Sequence, residues 1–573
     1  MPVHNSDVSQ VFRAVADLLD IKEDNPFRIR AYRNAARTVD SLSGNLADMI
    51  EEGEDLSRLP DIGEDLAGKI KTIIETGSLP MLEELEKDYP RSLRDLLKVS
   101  GLGPRKVAAI HRHLGVTDLH GLKKAVEANR VRDLDGFGKK TENRIRQELE
   151  EIDLDEERTL LRQAMDLARP LVEYLNNTEG VEEVEAAGSL RRRKETVGDL
   201  DVLVTGDDEA GIMDAFVEYD EVESVVQKGE TRTTVLLGSG IQVDLRVVSS
   251  SSFGAALVYF TGSKSHNIQL RRRGQERELK INEYGALRDE EKVAGNTEEE
   301  IYKAVDLPFI VPELREDRGE IEAAEKGELP DLVTMDDIRG DLHMHTERTD
   351  GHNTIEEMAK ACRDRGYDYI AITEHSSNIA VTGGLNEKEL EAHLELIEEA
   401  NAKVEGIEIL KGIEVDILKD GSLDLDDEVL SRLDVVIGSV HSHFDLSMDR
   451  QTRRVIKAME NPDFMILGHP TGRKLNQREP MKIDLDSVFD AAAELGCFME
   501  LNAYPIRLDL TDTACMSAKE KGVRIVINTD AHSIHHLDYM RFGIFQARRG
   551  WQEASDVINT GSLADLRELL GRD

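Results

Sequence analysis

Cysteine is nearly absent: Cys362, Cys497 and Cys515 are the three in 573 residues, and none forms a CxxC pair. That excludes a disulfide framework and a thiolate zinc site, and it fits a reducing, cytoplasmic setting. No stretch approaches the roughly 20 apolar residues that a membrane span needs. No apolar run follows a basic cap near the start, as a secretory signal would require. Basic charge is also scarce. The 73 Lys and Arg face 115 Asp and Glu, a formal net charge of −42. Taken as a whole, this excess works against binding a polyanion. Its distribution reverses the reading, because residues 91–150 hold 14 basic and 8 acidic side chains, and residues 261–280 hold six and two. Two basic islands on an acidic background match a surface adapted to concentrated salt, a halophilic trait, with local patches kept for nucleic acid.

What is present divides the chain. At about 150 residues per domain, three or four units are expected. Residues 1–150 read as short amphipathic helices with Gly-centred turns. Between 180 and 250, VEEVEAAGSL, DLDVLVTG, TRTTVLLG and IQVDLRVV read as strands, and 254–273 returns to helix. A Pro-containing acidic stretch from Glu313 to Asp337 reads as a linker with some helical content. From Arg339 onward short apolar strands alternate with helices, the pattern of an α/β barrel or doubly wound sheet.

One local pattern occurs three times: LPDIGEDLAGKI from Leu59, VSGLGPRKVAAI from Val99 and LDGFGKKTENRI from Leu134. This is the helix-hairpin-helix pattern. Gly101 and Gly103, like Gly136 and Gly138, permit a tight turn that presents the amides of the next helix to a backbone phosphate. Arg105, Lys106, Lys139 and Lys140 beside those turns add salt-sensitive affinity without base specificity. The first copy carries Glu64 and Asp65 there instead, so it lacks that contribution.

Within GSLRRRKETVGDLDVLV, from Gly188 to Val204, Asp199 and Asp201 alternate with apolar residues and so face one side of a strand. Asp244 in IQVDLRVV supplies a third carboxylate. Three carboxylates on adjacent strands can hold two Mg²⁺ ions, the arrangement for activating a 3′-hydroxyl and neutralising a triphosphate. Gly188 and Ser189 suit a phosphate-binding turn.

The last third carries most of the histidines, each at the end of an apolar run. GDLHMHTERTDG gives His343, His345 and Asp350; YIAITEH gives His375; ILKGIE gives Glu414; VVIGSVH gives His441; MILGH gives His469; RIVINTDAH gives Asp530 and His532. Barrel enzymes bind at the C-terminal ends of their strands. Nine N and O ligands there suit two or three ions such as Mn²⁺ or Zn²⁺. His443 and His535 are expected outside this set, and His393 is expected on a helix surface.

The first half of the chain, roughly residues 1–315, resembles the family X DNA polymerases. The resemblance rests on GSLRRRKETVGDLDVLV, on YFTGSKSHNIQLRRRG from Tyr259, on INEYGAL from Ile281 and on LPFIVPELRE from Leu307. It implies that Ser189 and Arg192 contact the incoming triphosphate and that Gly198 approaches it closely. Tyr259 and Phe260 would pack against its sugar, within a segment that includes Gly262. Asn267 would meet the minor-groove edge of the nascent pair, and Arg271 would lie near the template. FRIRAYRNAA and LPDIGEDLAGKI resemble that family's small lyase domain, with Lys69 at the Schiff-base position. Asp65 stands where a phosphate-binding lysine is usual, which argues against the lyase activity; Arg28 stands in for another such lysine. From about Arg339 the chain resembles the polymerase and histidinol phosphatase (PHP) domain, a seven-stranded (β/α) barrel, with all nine ligand positions filled.

The resulting expectation is a multidomain protein. It has a helical lyase-like domain (1–85), helix-hairpin-helix fingers (86–150), an α+β nucleotidyltransferase palm (151–252) and thumb (253–315), a linker (316–337) and a (β/α)7 PHP barrel (338–573). A monomeric repair polymerase is expected, filling gaps in primed DNA from dNTPs. Mg²⁺ would serve the palm, and up to three Mn²⁺ or Zn²⁺ ions would serve a 3′–5′ exonuclease in the barrel. The competing readings are a small-molecule phosphatase with a helical accessory region and a non-catalytic DNA-end scaffold.

Overall fold

A computed structural model describes residues 5–42, 46–51, 53–76, 78–99, 101–134, 136–151, 158–378 and 383–571. Ser100 and Asp135, one residue from each of the two basic hairpin segments, lie outside the described residues. The chain forms two compact units: Met1–Arg158 with 238–240 and 476–479, and the remainder from Thr159 onward. Among the described residues no helix is long and apolar enough to cross a membrane.

The first unit is helical. Phe12, Val15, Leu18 and Leu19 of the helix Asn5–Ile21 are buried against Tyr32, Ala36 and Val39 of the helix Pro26–Ser41. Spacings of three and four give each helix one apolar face. The three repeated turns share a backbone feature. Gly101 has φ +84° and Gly136 φ +79°, and the equivalent residue of the first copy, Asp61, takes φ +56° without being glycine. Left-handed backbone favours Gly and is tolerated by Asp. Helices start directly after each turn, at Glu64, Pro104 and Lys139.

The second unit contains two sheets relevant to function. The first comprises Val181–Ala186 (β1), Asp199–Gly206 (β2), Val222–Lys228 (β3), Arg232–Leu237 (β4) and Gln242–Val247 (β5), in the order β1-β2-β5-β4-β3. Only β2 and β5 run parallel, with Asp201 and Asp244 as direct partners. Strand β3 was not expected from the sequence. It is an edge strand whose residues after Val222 are exposed, so VESVVQK lacks the apolar alternation of a half-buried strand. Helices Phe253–Thr261 and Lys264–Gln275 follow, then a small antiparallel sheet of Lys280–Asn282 (β6), Gly285–Arg288 (β7) and Glu291–Ala294 (β8).

The stretch expected to be a linker is instead packed. Its helix Glu320–Lys326 begins with a fully buried Glu320 that accepts from the amides of Asp317 and Arg318 and lies 2.6 Å from His266 Nδ1. A buried carboxylate with three partners anchors the segment, which its acidic composition did not suggest.

The second sheet is all parallel and in sequence order: Gly340–Asp341 (β9), Tyr369–Ile372 (β10), Glu408–Asp416 (β11), Val435–Ser439 (β12), Ile466–Leu467 (β13), Phe498–Asn502 (β14) and Ile525–Asn528 (β15). A parallel bridge between Met344 and Ala531, with the Leu342 amide donating to Asn528 Oδ1, brings its two ends together. The strands are buried on both faces, as runs such as YIAI and IVIN require. This barrel and the first sheet share one apolar cluster: Leu508, Tyr539 and Phe542 pack with Leu161, Val197 and Ile212. Each such fully buried side chain contributes roughly 1.5–3 kcal/mol. Arg473 forks onto Glu195 at 3.1 and 2.6 Å, and Arg548 bonds Glu313 at 2.8 Å.

Candidate active sites

The first site lies at the start of β2. The alternation of the strand leaves Asp199 exposed and Asp201 half-buried, with Leu200 between them turned inward. Asp244 is buried on the neighbouring strand, where Thr234 Oγ1 and Arg232 Nη2 (3.1 Å) donate to it. Burial, with Asp199 and Asp244 nearby, pushes the Asp201 carboxyl up to about 7. That cost of crowding negative charge is what a divalent cation relieves. Gly188, at φ +63°, opens the turn after β1; a Cβ there would meet Asp201 Oδ2 at 2.5 Å, so the close approach needs glycine. Ser189 follows within the four-residue helix Gly188–Arg191, and Gly198 directly precedes Asp199.

Arg192, whose charge acts on Asp201, lines a cavity of about 270 Å³ together with Tyr259, Phe260, Gly262, Asn267 and Arg271. Arg192 and five residues of the segment 259–271 thus meet at one cleft. The loop conformation is set by Gly262, where a Cβ would lie 2.3 Å from Asn267 Nδ2, and by Asn267 Nδ2 donating to the Tyr259 carbonyl at 2.6 Å. Ser263 and Lys264 line the same cavity and escaped the sequence reading, although TGSK repeats the Gly-Ser signal of the first turn.

In the first unit, Arg105, Lys139 and Lys140 are exposed beside their turns. Lys106 Nζ instead donates to the Gly101 carbonyl at 2.9 Å and sits 5.6 Å from the Phe137 ring centre. Lys69 is paired with Asp65 one helical turn away and lies over the Tyr32 ring. Burial would lower its pKa, but Asp65 and Tyr32 outweigh that and raise it, holding the amine protonated. Arg28 is exposed, with Nη1 3.8 Å from Asp24.

The second site is at the C-terminal mouth of the barrel. Ligand atoms of His345, Asp350, His375 and His532 lie within 4.8 Å of one another, as do those of His343, His345 and Asp530 and those of His375, Glu414 and His441. His469 Nε2 joins them, 3.0 Å from Glu414 Oε1. The groups are linked through His345 and His375, so they form one continuous cluster of candidate ligands. The fit to cations is direct. His343 Nε2, both nitrogens of His345, Asp350 Oδ1 and Glu414 Oε2 are buried without a hydrogen-bond partner, which is costly unless something coordinates them. Two residues of the cluster, His469 at φ +26° and Asp530 at φ +52°, take strained backbone conformations.

A supporting layer was not visible in the sequence. Glu500 Oε1 lies 2.6 Å from His343 Nδ1, and Asp416 Oδ1 lies 2.6 Å from His441 Nδ1. Each carboxylate turns Nε2 of its histidine to the cluster. Burial, with His375 and His532 nearby, takes His345 down to about 4, so it is neutral at neutral pH and one ring nitrogen keeps a lone pair. His443 is exposed, and His535 is half-buried outside the cluster. His393 corrects the expectation of a surface position. It is fully buried, because it shares the inner face of its helix with Leu390, Leu394 and Ile397, 3.8 Å from Glu374.

Known proteins match these regions. Family models match for a helix-hairpin-helix domain over residues 3–79, a SAM-like helix-hairpin-helix tandem over 93–151, the DNA polymerase beta thumb over 256–316 and the PHP domain over 341–503. The DNA polymerase/3′–5′ exonuclease PolX of Bacillus subtilis is 39% identical over 575 residues, covering 100% of both chains. A probable phosphatase of Thermoanaerobacter pseudethanolicus is 36% identical over 239 residues, 39% of this chain and 88% of its own. One of Acetivibrio thermocellus is 33% identical over 202 residues, 34% and 78%.

Proposed function

The chain belongs to the PolX family of DNA polymerase/3′–5′ exonucleases, and from that premise we propose that it extends primers across DNA gaps at the palm and trims 3′ ends in the barrel. The reading is supported by one observation: three crowded carboxylates and a buried cluster of His, Asp and Glu side chains occur in the same compact unit. Two relatives that match 39% and 34% of this chain are named as probable phosphatases. The small-molecule reading leaves the crowded carboxylates of the first site without a role. The segment boundaries 1–85, 86–150, 151–252, 253–315, 316–337 and 338–573 are proposed as the working division of labour.

Divalent ions, two Mg²⁺ at Asp199, Asp201 and Asp244 and up to three Mn²⁺ or Zn²⁺ in the barrel, would supply Lewis acidity and lower the pKa of a 3′-hydroxyl or a water. The protein does the positioning. Ser189 and Arg192 take the triphosphate, with Gly198 leaving room beside it. The rings of Tyr259 and Phe260, with centres 5.0 Å apart in an edge contact, bound the sugar position. Asn267 faces the nascent pair and Arg271 the template. Arg105, Lys106, Lys139 and Lys140, with the turns at Gly101, Gly103, Gly136 and Gly138, hold DNA backbone phosphates. In the barrel, Glu500 and Asp416 fix the tautomers of His343 and His441. Arg507, 3.6 Å from Asp530, adds positive charge beside the cluster.

The test is a gapped duplex incubated with wild type, Asp201→Ala and His343→Ala, scoring extension and 3′ degradation separately. The first variant should lose only extension and the second only degradation. Faster turnover of a small phosphomonoester than of a DNA 3′ end would favour the phosphatase reading.

A further inference from the structure

Arg549 closes the barrel helix Met540–Arg549 and is almost wholly buried. None of its described partners belongs to the nine-ligand cluster. Its Nη1 donates to the main-chain carbonyl of Arg192 at 2.8 Å and to Glu316 Oε1 at 3.0 Å, and its Nη2 donates to Asp512 Oδ2 at 2.5 Å. The same oxygen of Glu316 accepts from Arg192 Nε at 2.9 Å. Arg192 Nη1 donates to the Thr261 carbonyl. The hydrogen bonds described for the Arg192 guanidinium therefore use Nε and Nη1, and Nη2 remains for the cleft that Arg192 lines.

We propose that Arg549 and Glu316 are positioning residues for nucleotide binding: the barrel grips Arg192 by its main chain and, through Glu316, by its side chain, and so presents Nη2 to the triphosphate. This rests on the assignment of Arg192 to the triphosphate made above. An arginine free to rotate would lose that freedom on binding; one already fixed by two bonds has less to lose. Charge works in the same direction. Glu316 alone would cancel Arg192, but with Arg549, Asp512 and Arg318 counted the linked groups keep one net positive charge. Burial would raise the Glu316 carboxyl, yet Arg192 and Arg549 outweigh it and keep it ionised. Asp512, shared by Arg549 and Arg318 (3.0 Å), holds the barrel end of the chain of contacts. Arg548 makes a different link, to Glu313 and the Val333 carbonyl, without touching Arg192. It is the natural control for simple attachment of the two domains.

The experiment is steady-state extension of a gapped duplex over a range of dNTP concentration, with 3′–5′ hydrolysis measured on the same preparations of full-length protein. Arg549→Met keeps the aliphatic stem and removes the grip, and Glu316→Ala severs it from the palm side. Both should raise the dNTP KM by about fivefold with a smaller change in kcat. Arg549→Lys should recover part of the loss, and Arg548→Met should match wild type. Hydrolysis retained in Arg549→Met reports an intact barrel; if it is lost, Glu316→Ala decides. The proposal is overturned if Arg549→Met and Glu316→Ala leave KM where Arg548→Met leaves it while Arg192→Ala raises it. A KM unmoved by Arg192→Ala would instead remove the assignment of Arg192.

Discussion

Glu500 Oε1 lies 2.6 Å from Nδ1 of His343, with both side chains fully buried at the mouth of the barrel. Burial would raise the Glu500 carboxyl, but His343 outweighs it and keeps the carboxylate ionised. It also accepts from the His469 amide at 2.7 Å, so one side chain steadies two ligands. Replacing it by Gln keeps the size and removes the charge. Glu500→Gln should lower 3′–5′ hydrolysis by about 10–100-fold, the usual cost of losing a ligand's supporting partner, and leave primer extension unchanged. Hydrolysis at the wild-type rate in this variant would mean that His343 needs no orienting partner.

The two sites should separate by mutation. Asp201 is the half-buried carboxylate crowded by Asp199 and Asp244, so Asp201→Ala should abolish extension while hydrolysis persists. His343→Ala or Asp530→Ala should do the reverse, because both residues join the group that also uses His345. Hydrolysis that survives His343→Ala but disappears in Asp201→Ala would assign the nuclease signal to reversal at the palm.

They should also separate by metal. The palm offers carboxylates alone, which suit Mg²⁺, and the barrel offers imidazoles, which favour Mn²⁺ or Zn²⁺. Extension is expected with Mg²⁺ and hydrolysis to be stimulated by Mn²⁺, measured after chelation and stepwise metal return. Identical metal profiles for the two activities would contradict this.

Most residues of the barrel-mouth cluster are legible because a histidine that closes an apolar run, as in VVIGSVH and MILGH, is a conspicuous signal. Glu500 and Asp416 are not, because Glu500 lies inside its strand, Asp416 shares the run already read for Glu414, and only the fold brings them to His343 and His441. His393 was misread because the helix Glu387–Lys403 is rich in Glu, which hid the face made by Leu390, Leu394 and Ile397. Strand β3 was missed because an exposed edge strand buries almost nothing to pattern its sequence. The crowding of Asp199, Asp201 and Asp244 was legible from DLD and VDL, whereas Glu316 and Arg549 are 233 residues apart and carried no shared signal.

The acid excess predicts behaviour in salt. With 115 acidic and 73 basic side chains, self-repulsion should weaken the fold in dilute buffer, and screening should restore it, since the Debye length falls to roughly 3 Å at 1 M. Thermal stability should rise and extension should persist toward molar KCl. Full stability at low salt together with inhibition at molar salt would argue for an ordinary acidic protein.

Lys69 allows a pH test of the lyase-like unit. Schiff-base chemistry needs the neutral amine, and the pairing with Asp65 and Tyr32 raises the pKa above its ordinary 10.5. At pH 8 the neutral fraction is then well under about 1%. The linkage has a definite sign. A raised lysine pKa contributes stability below 10.5 that is lost as pH rises through the folded value, and the contribution is small because Asp65 is 82% exposed. Release of the proton, not unfolding, should therefore govern reactivity across the mildly alkaline range. Borohydride trapping on a 5′-deoxyribose phosphate end should be weak at neutral pH and climb with pH. It should strengthen in Asp65→Ala, where the amine loses its carboxylate partner. Lys69→Ala should remove whatever trapping exists and leave primer extension intact. Strong trapping at pH 7 that is indifferent to Asp65→Ala would mean that the reactive amine is neutral despite its partners, or that another lysine carries the reaction.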